Sequence, residues 1–397
     1  MQQILFQFGG GDSPLSFVIW IAFMVIFFLF YPRIMLSQMM WKLEKSAREL
    51  EAMSDGAKKI VTSAISKSPD KKMRDSISRF FEFFMIAPVT LDPYGIVGRL
   101  DHLIKTQNNR FEYFVKQVAP KMDAERRANI QMGLAGGITV HEISKIVRHY
   151  VELAKKTKSL QIAMILQMQL PLIERIAKGM FKGTKALTNG NPVGDGLGPL
   201  VASELIGNKK MKEIEKDILM AEVQLEGRHA FVLKARGPGG RIGYPGKAVS
   251  GLVKKNKIAR VITVDAAAKL EGEKTGSLAE GVGVAMGGPG VERSYIESIV
   301  VKNDIPLDSI VVKMAPEQAI EPMRKAIKDA VPKVMDSIKR SLERTRRGER
   351  VIILGVGNSS GIGNSKGEIN KAKEWVDKYE RRLIAQKKKK GKSKGNG

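Results

Sequence analysis

The stretch Ile258–Val264, with the sequence IARVITV, is a run rich in β-branched residues that leads directly into Asp265. Runs of this kind are typical of β-strands. Five similar runs occur in the same half of the chain, at Leu219–Leu225, His229–Lys234, Gly281–Met286, Ile310–Lys313 and Arg350–Leu354. Helical patterns separate several of them, including Pro199–Ile206 and Pro316–Arg346. Because strands that alternate with helices form α/β sheets, we predict a C-terminal α/β domain, with a mixed or parallel sheet and helices on both faces.

The chain before this region has a helical character. Over residues 37–180 glycine is sparse, and apolar residues recur at steps of three and four, which indicates an all-α domain. Helices are predicted at Arg99–Lys105, Ala124–Met132, His141–Lys155 and Leu160–Lys178. Pro88 and Pro93 interrupt the pattern after a phenylalanine-rich stretch, and Pro171 is expected to kink or split the last helix.

The N-terminal segment, residues 1–36, carries a predicted transmembrane helix at about residues 14–35. Its centre, Leu15–Tyr31, reads LSFVIWIAFMVIFFLFY, and no charged residue lies between Asp12 and Arg33. A helix that crosses a bilayer needs about 20 mostly apolar residues. A cleaved signal peptide fits less well, because no basic residue precedes the apolar run.

The charges around this segment predict its orientation. Asp12 is the one charged residue before it, whereas Arg33, Lys42, Lys45 and Arg48 follow it. Since cytoplasmic flanks are enriched in Lys and Arg, we expect a single-pass protein of the cell membrane. Its N-terminus would lie outside, and the bulk of the chain would be cytoplasmic.

The overall composition excludes some chemistry and favours certain partners. The chain of 397 residues has 67 Lys and Arg against 41 Asp and Glu, a net charge of +26, and no cysteine. Cysteine nucleophiles and cysteine-ligated metals are therefore excluded, and anionic partners such as lipid, nucleic acid or an acidic protein are favoured.

The last segment, residues 365–397, is predicted as a helix followed by a disordered basic tail. Arg381–Gly397 holds eight Lys and Arg residues and no acid. Such a tail binds phosphates of lipid or RNA, or serves only to keep the chain soluble. It has no aromatic residue, which argues against base stacking.

Two acids mark the candidate site for chemistry. Asp195 lies in the glycine-rich loop Asn189–Leu200, at the start of a predicted helix, and Asp265 ends a predicted strand. Sites in open α/β sheets form at the carboxyl ends of strands, where two acids would hold one divalent cation or activate a water. The alternative is that the two acids cap a helix and a turn. With 69 residues between them, the sequence leaves their convergence open.

The sequence resembles two motifs of the hydrogenase-maturation endopeptidase superfamily, which includes spore germination proteases. The first is a Gly-Asn turn followed by an acid-Gly-apolar-Gly run, here Gly190-Asn191 and Asp195-Gly196-Leu197-Gly198. The second is a strand that runs into an aspartate, here Val264-Asp265-Ala266. Gly281–Gly290 resembles the glycine-rich segment that follows the second acid in the spore enzymes. The resemblance covers Phe181–Asn364 and implies a peptidase-like domain at residues 181–364.

The same resemblance implies that Asp195 and Asp265 bind a metal or act in peptide-bond cleavage. The endopeptidases carry a histidine after the second acid, but here His229 is the last histidine and precedes Asp265. His229 is then the candidate third ligand, with Glu280 or Glu292 as alternatives.

The whole chain is also similar to an archaeal family of unknown function, the family of the domain of unknown function 1512. The stretches that carry this resemblance are GPGGRIGYPG, VDAAAKLEGE and LAEGVGVAMGGPGVER. This resemblance implies no particular activity.

A second candidate site is the loop from Lys234 to Lys247, which combines cations with glycines. Backbone N–H groups in such a turn form anion-binding nests, and a mobile surface loop is the alternative. The residues expected to hold an anion are Arg236, Gly239, Gly240, Arg241 and Lys247.

Two functions from different classes follow from these patterns. The first is a metal- or acid-dependent peptidase-like hydrolase that uses Asp195 and Asp265. The second is a module without catalytic activity that binds an anion or a partner, or a scaffold for a membrane complex, because a fold does not by itself determine a function.

Overall fold

The computed structural model describes residues 14–84 and 95–394. Asp12, the predicted breaks at Pro88 and Pro93, and residues 395–397 lie outside this part of the chain. The described residues fall into two compact units. One comprises the chain up to Ala52 together with Glu142–Arg175, and the other comprises Met53–His141 and the chain from Ile176 onward.

The first half of the chain is helical, as predicted. The helices are α1 (Pro14–Ile65), α2 (Lys71–Phe80), α3 (Ile96–Val118), α4 (Ala124–Thr157) and α5 (Leu160–Thr188). Helix α5 passes through Pro171 without a break. Two of the predicted helices form the single helix α4, which contains the glycines Gly133, Gly136 and Gly137.

These glycines of α4 are contact points. A Cβ on Gly133 would come within 1.9 Å of the Thr188 hydroxyl, and one on Gly137 within 2.8 Å of the Phe81 ring. Glycine therefore lets α5 and Phe81 approach the α4 backbone closely, and this gain in packing offsets its weak helix propensity.

Helix α1 is long and apolar enough to cross a membrane. An 18-residue window in the span Phe17–Ile65 has a mean hydropathy of 2.2 and no buried residue. No other described helix meets the same criteria of length and composition.

Ion pairs join α1 to α4 within the first unit. The Arg148 guanidinium donates to both carboxylate oxygens of Glu51, at 2.6 and 2.8 Å, and to Glu44 at 2.8 Å. Lys155 also pairs with Glu44 at 2.6 Å. Hydrogen bonds from Lys155 and Arg148 lower the pKa of Glu44 to about 2.

The second half of the chain contains a seven-stranded mixed sheet, which confirms the predicted α/β domain. Its strands are β1 (Lys212–Glu215), β2 (Ile218–Leu225), β3 (Arg228–Ala235), β4 (Arg260–Ala268), β5 (Leu278–Val282), β6 (Leu307–Met314) and β7 (Arg350–Gly355). The order across the sheet is β1-β2-β3-β7-β4-β6-β5. The central strands β3, β7, β4 and β6 are parallel, and antiparallel strands complete both edges.

Helices cover both faces of this sheet. The helices of this half are α6 (Leu197–Ile206), α7 (Pro245–Lys255), α8 (Val291–Lys302), α9 (Pro316–Ile320), α10 (Lys325–Lys328), α11 (Val331–Glu343) and α12 (Lys366–Lys394). One buried cluster joins the sheet to α6, α11 and α12, and another joins its opposite face to α7 and α8.

The boundaries differ from prediction in three places. Each of the six predicted runs contains or overlaps a strand, but β1 was not predicted because its sequence Lys-Glu-Ile-Glu is mostly charged. The predicted helix Pro316–Arg346 is divided into three shorter helices, with Pro332 in the first turn of α11. The basic stretch predicted as disordered is helical up to Lys394, consistent with the helix propensity of Lys, Arg, Ala and Gln.

Helix α6 packs unusually closely on the sheet, and Gly198 makes this possible. A Cβ on Gly198 would lie 2.1 Å from the carbonyl oxygen of Val356 and 2.7 Å from that of Val264. From the other side, a Cβ on Gly355 would lie 2.2 Å from the carbonyl oxygen of Gly198. The backbone at the start of α6 therefore packs directly against the backbone at the ends of β4 and β7.

We predict that Gly198→Ala lowers the free energy of unfolding of the α/β domain by about 1–3 kcal/mol, the usual cost of overpacking. The matched control is Gly251→Ala in α7, where a Cβ meets no atom within 4 Å. This control should gain roughly 0.5–1 kcal/mol from helix propensity. Trp375, which packs against the core, reports unfolding by fluorescence once Trp20 and Trp41 are changed to Phe.

Equal stability of the Gly198→Ala and Gly251→Ala variants would contradict the close contact between α6 and the sheet.

Candidate functional site

A cavity of about 500 Å³ opens at the carboxyl ends of the central parallel strands. The connection from β4 to β6 passes through the edge strand β5 and then α8 on one face, whereas the chain after β7 continues into α12 on the opposite face. Neighbouring strands whose connections diverge in this way leave a crevice between them, the usual ligand position in doubly wound sheets. Both Asp195 and Asp265 line the cavity.

Asp265 projects from the sheet into this cavity. It follows Val264 near the end of β4, and its residue is only 4 % exposed. Its Oδ1 accepts a hydrogen bond from the Ala266 N–H at 2.6 Å. Burial, followed by the negative charge of Asp195, raises the pKa of Asp265 well above its usual value.

Asp195 reaches the same cavity from a different element. It lies in the short 3-10 turn Gly194–Gly196 that leads into α6. The Asn358 N–H, in the loop after β7, donates to its Oδ2 at 2.8 Å. Burial raises the pKa of Asp195, and the bond from Asn358 lowers it in part.

The loop after β7 fits closely around Asp195. Gly357 adopts φ +129°, and a Cβ there would lie 1.9 Å from the Asp195 carbonyl oxygen. Only glycine combines this backbone conformation with this approach. The structure thus brings together two acids whose convergence the sequence left open.

The proximity of the two acids has a chemical consequence. Two interacting carboxyl groups lose their protons in two separate steps. Over an interval of pH, Asp265 keeps its proton while Asp195, stabilised by the Asn358 N–H, is ionised. A protonated acid and an ionised base then face one cavity, the arrangement required for general acid–base catalysis.

Two more acids line the cavity, and both organise its walls. Glu292, in the first turn of α8, accepts from the backbone N–H groups of Gly246 at 2.7 Å and Lys247 at 3.3 Å. Burial raises the pKa of Glu292, and these two N–H groups lower it in part. Asp101 of α3 binds the Lys247 ammonium at 2.9 Å through both oxygens, and the Tyr295 hydroxyl at 3.1 Å.

Asp101 was missed by the sequence analysis. Nothing in the pattern of α3 distinguishes it from other surface acids on helices, and Lys247 is 146 residues away. Glu292 was noted only as an alternative metal ligand. In the structure it instead caps the N-terminus of α7, since its side chain accepts the first N–H groups of that helix.

The Arg/Gly loop makes its contacts within the protein. The Gly239 N–H donates to the Glu125 carboxylate at 2.7 Å, and Arg241 pairs with the same carboxylate. The Gly240 N–H donates to Asn129 Oδ1 at 2.7 Å. The anionic group that these atoms contact in this structure is the chain's own carboxylate at Glu125 on α4.

The other cations of this loop are also engaged. Arg236 pairs with Glu213 at 3.0 Å. Lys234 is fully buried and donates to the Gly363 carbonyl at 3.0 Å and to Asn364 Oδ1 at 2.9 Å. Burial lowers the pKa of Lys234 to about 7. Its two hydrogen bonds stabilise the loop after β7 from inside the domain.

His229 is not brought to the acids. It lies at the amino end of β3, where it pairs with Arg350 of β7 and its ring contacts Gln224. Val264 pairs instead with Gly355, five residues further along β7. At about 3.3 Å per residue, His229 lies roughly 17 Å below Val264 along the strands, and Asp265 is one residue further away.

The cavity offers oxygen atoms as metal ligands. Across residues 14–84 and 95–394, no group of three or more His, Asp or Glu side chains is arranged to hold a metal ion. Asp195 and Asp265 by themselves fit a hard cation such as Mg²⁺, which keeps several waters and needs only one or two carboxylates. They do not fit a zinc-type centre, which takes three protein ligands.

A second hydrogen-bonded set of catalytic residue types joins helices in the first half of the chain. Ser54 Oγ lies 2.8 Å from His141 Nδ1, and His141 Nε2 lies 2.8 Å from Glu82 Oε1. However, Ser54 is only 2 % exposed. We therefore assign this set to packing between helices.

We predict that Asp265→Asn raises the melting temperature at neutral pH and has a smaller effect near pH 4. Because burial raises the pKa of Asp265, the folded chain keeps a proton that the unfolded chain releases. Stability is then lost as the pH rises from the unfolded pKa toward the folded one. Asparagine does not ionise, so the Asp265→Asn variant avoids this loss of stability. Its side-chain oxygen can still accept the hydrogen bond from the Ala266 N–H.

The control for this measurement is Asp336→Asn, at an exposed position of α11, which should leave the pH dependence unchanged. An Asp265→Asn variant that melts at a lower temperature than the wild type at neutral pH would refute the argument.

Comparisons with known proteins identify the family. A model described as "Protein of unknown function (DUF1512) N-terminal domain" matches residues 17–190, and one described as "Domain of unknown function (DUF1512) C-terminal" matches residues 193–363. No curated protein and no solved structure matches the chain. The two family matches cover most of the sequence, and the chain therefore belongs to the DUF1512 family.

Proposed function

We propose that this protein is a peptidase-like hydrolase in which Asp195 and Asp265 form the acid–base pair. The observation that carries the proposal is the meeting of buried Asp265 and half-buried Asp195 in one cavity, with the charge of Asp195 raising the pKa of Asp265. Perturbed acids that line a cavity are typical of catalytic sites.

The two acids take different roles. Ionised Asp195 accepts a proton from a water, whose oxygen attacks the carbonyl carbon of a peptide bond. Protonated Asp265 donates its proton to the carbonyl oxygen, which gives a tetrahedral gem-diol. Asp195 then passes the proton that it took from the water to the leaving nitrogen, and one hydroxyl of the gem-diol returns a proton to Asp265. The C–N bond breaks to an acid and an amine, and both acids regain their starting states. The hydrogen bond from Asn358 supports this assignment, because it stabilises the ionised form of Asp195.

A divalent cation held by the same two carboxylates is a second form of this proposal. The oxygen donors favour a hard cation, which would act on the carbonyl oxygen as a Lewis acid. In that case both acids would be ionised ligands, and the pH dependence would differ from that of an acid–base pair.

We further propose that α1 anchors the protein in the cell membrane, with its N-terminus outside and the α/β domain in the cytoplasm. The apolar window of α1 supports the anchor, and Arg33, Lys42 and Lys45 after it support the orientation. The basic end of α12 would bind an anionic ligand, or an acidic or nucleic-acid surface.

We predict that Asp195→Asn and Asp265→Asn each lower the rate of peptide hydrolysis by at least about 100-fold, the usual contribution of a general acid or base. The measurement is cleavage of a mixture of defined peptides by the full chain in detergent, followed by mass spectrometry. Asp336→Asn, on the exposed face of α11, should retain full activity.

The wild-type rate should rise and fall with pH, and the fall should lie well above the ordinary aspartate range because the pKa of Asp265 is raised. Activity that survives a chelator and shows this bell shape supports the acid–base pair. Stoichiometric metal in the wild type that is lost in both variants supports the cation. Unchanged activity in both variants would refute either form.

The absence of cysteine makes the membrane topology directly testable. We predict that an impermeant maleimide labels Gln3→Cys in intact cells and labels Asp336→Cys only after lysis. Labelling of Asp336→Cys in intact cells would reverse the proposed orientation, and a chain that is recovered without membrane would exclude the anchor.

A further inference from the structure

The glycine-rich segment Met286–Gly290 forms one wall of the cavity that contains the two acids. It belongs to no helix or strand, and it lies between β5 and the start of α8. Positive φ angles of +84° and +83° account for Gly288 and Gly290, but neither the fold nor the proposed acid–base pair accounts for Gly287.

Gly287 of this wall differs from those glycines of the domain that close packing requires. A Cβ on Gly194, Gly198 or Gly246 would come within about 2.1 Å of a backbone oxygen, so packing requires glycine there. At Gly287 a Cβ would meet no atom within 4 Å, and the backbone angle is not positive. The space beside Gly287 is therefore open for another molecule to approach the backbone.

The main chain of this wall is also available for binding. The Gly283 N–H bonds to the Leu307 carbonyl, and the Ser294 N–H bonds to the Gly290 carbonyl. Between these bonds, residues 284–289 make no main-chain hydrogen bond to any described residue. A row of free N–H and C=O groups is the feature by which proteins bind an extended peptide through its backbone.

The charge of the cavity restricts the ligand further. Four acids line it, at Asp101, Asp195, Asp265 and Glu292, and none of the described lining residues is Lys, Arg or His. Lys247 neutralises Asp101 at 2.9 Å, and the pKa of Asp265 is raised, so Asp195 and Glu292 carry the remaining negative charge while no described lining residue offers a cation to an incoming anion. Phosphates, nucleotides and acidic peptides are disfavoured there, because like charges repel in a partly buried cavity.

We infer that Met286–Gly290 binds the main chain of an extended peptide with neutral or basic side chains, and holds one of its peptide bonds at Asp195 and Asp265. This inference deepens the proposed function and rests on it for the bond that is cleaved. Because recognition is through the peptide backbone, the site binds an extended, unfolded segment. It discriminates between peptides by the charge of their side chains and does not require one particular sequence.

Binding is measured on the full chain carrying Asp265→Asn, so that the peptide is not consumed. The probe is a fluorescein-labelled decapeptide of alternating Ala and Lys, acetylated and amidated at its ends, and the readout is fluorescence anisotropy. A Glu-containing counterpart should bind at least about tenfold more weakly. A counterpart with N-methyl groups on alternate amides should also bind at least about tenfold more weakly, because N-methylation removes the hydrogen-bond donors of those amides.

Two valine variants test the location. Gly287→Val fills the open space at the cavity and should weaken binding at least about tenfold. Gly281→Val is the matched control, because its glycine is equally open and has an ordinary φ but does not line the cavity. Valine is favourable in β5, so the control should bind the peptide as well as the parent does.

The results separate this inference from the proposed hydrolase. Peptide binding that depends on Gly287 and on free amides, without cleavage by the wild type, supports the binding site and refutes the hydrolase. Cleavage whose KM is the same in the Gly287→Val and Gly281→Val variants refutes the binding site and leaves the hydrolase intact. Undiminished binding of the N-methylated peptide, or binding of neither peptide, also overturns the inference.

Discussion

The C-terminal domain depends on a contact between backbones, that of Gly198 at the start of α6 against the ends of β4 and β7. No side chain fits between these elements, because a Cβ on Gly198 or Gly355 would lie about 2.1–2.2 Å from a carbonyl oxygen of the other element. The contact places the turn that carries Asp195 directly over the end of β4. Asp265 lies at that same strand end, so the packing of glycines decides that the two acids meet.

Bringing the acids together opposes folding. Both carboxyl groups are removed from water, and the charge of one raises the pKa of the other. A fold selected for stability alone would place neutral or apolar side chains at these positions. The surrounding structure offsets this cost with specific contacts, among them the Asn358 N–H bond to Asp195 and the buried Lys234 that supports the loop after β7.

The distribution of charge supports the same view of the site. In a strongly basic chain, the loop richest in Arg and Gly is neutralised from inside by Glu125, Glu213 and Asp217. The cavity, by contrast, is lined by acids. The loop therefore joins α4 to the sheet, whereas residues 284–289 beside the cavity make no main-chain hydrogen bond to any described residue.

The sequence by itself determined the class of fold, because hydrophobic periodicity follows directly from secondary structure. The helical first half, the apolar α1 and six of the seven strands were predicted, whereas the charged β1 was not. The glycine and acid motifs also indicated Asp195 and Asp265 as candidates. Only the tertiary structure decided that these acids converge, that His229 lies at the opposite end of the strands, and that Asp101 and Glu292 join the cavity. Strand order and the pairing of distant charges depend on contacts between residues far apart in the chain, and a local pattern carries no record of such contacts.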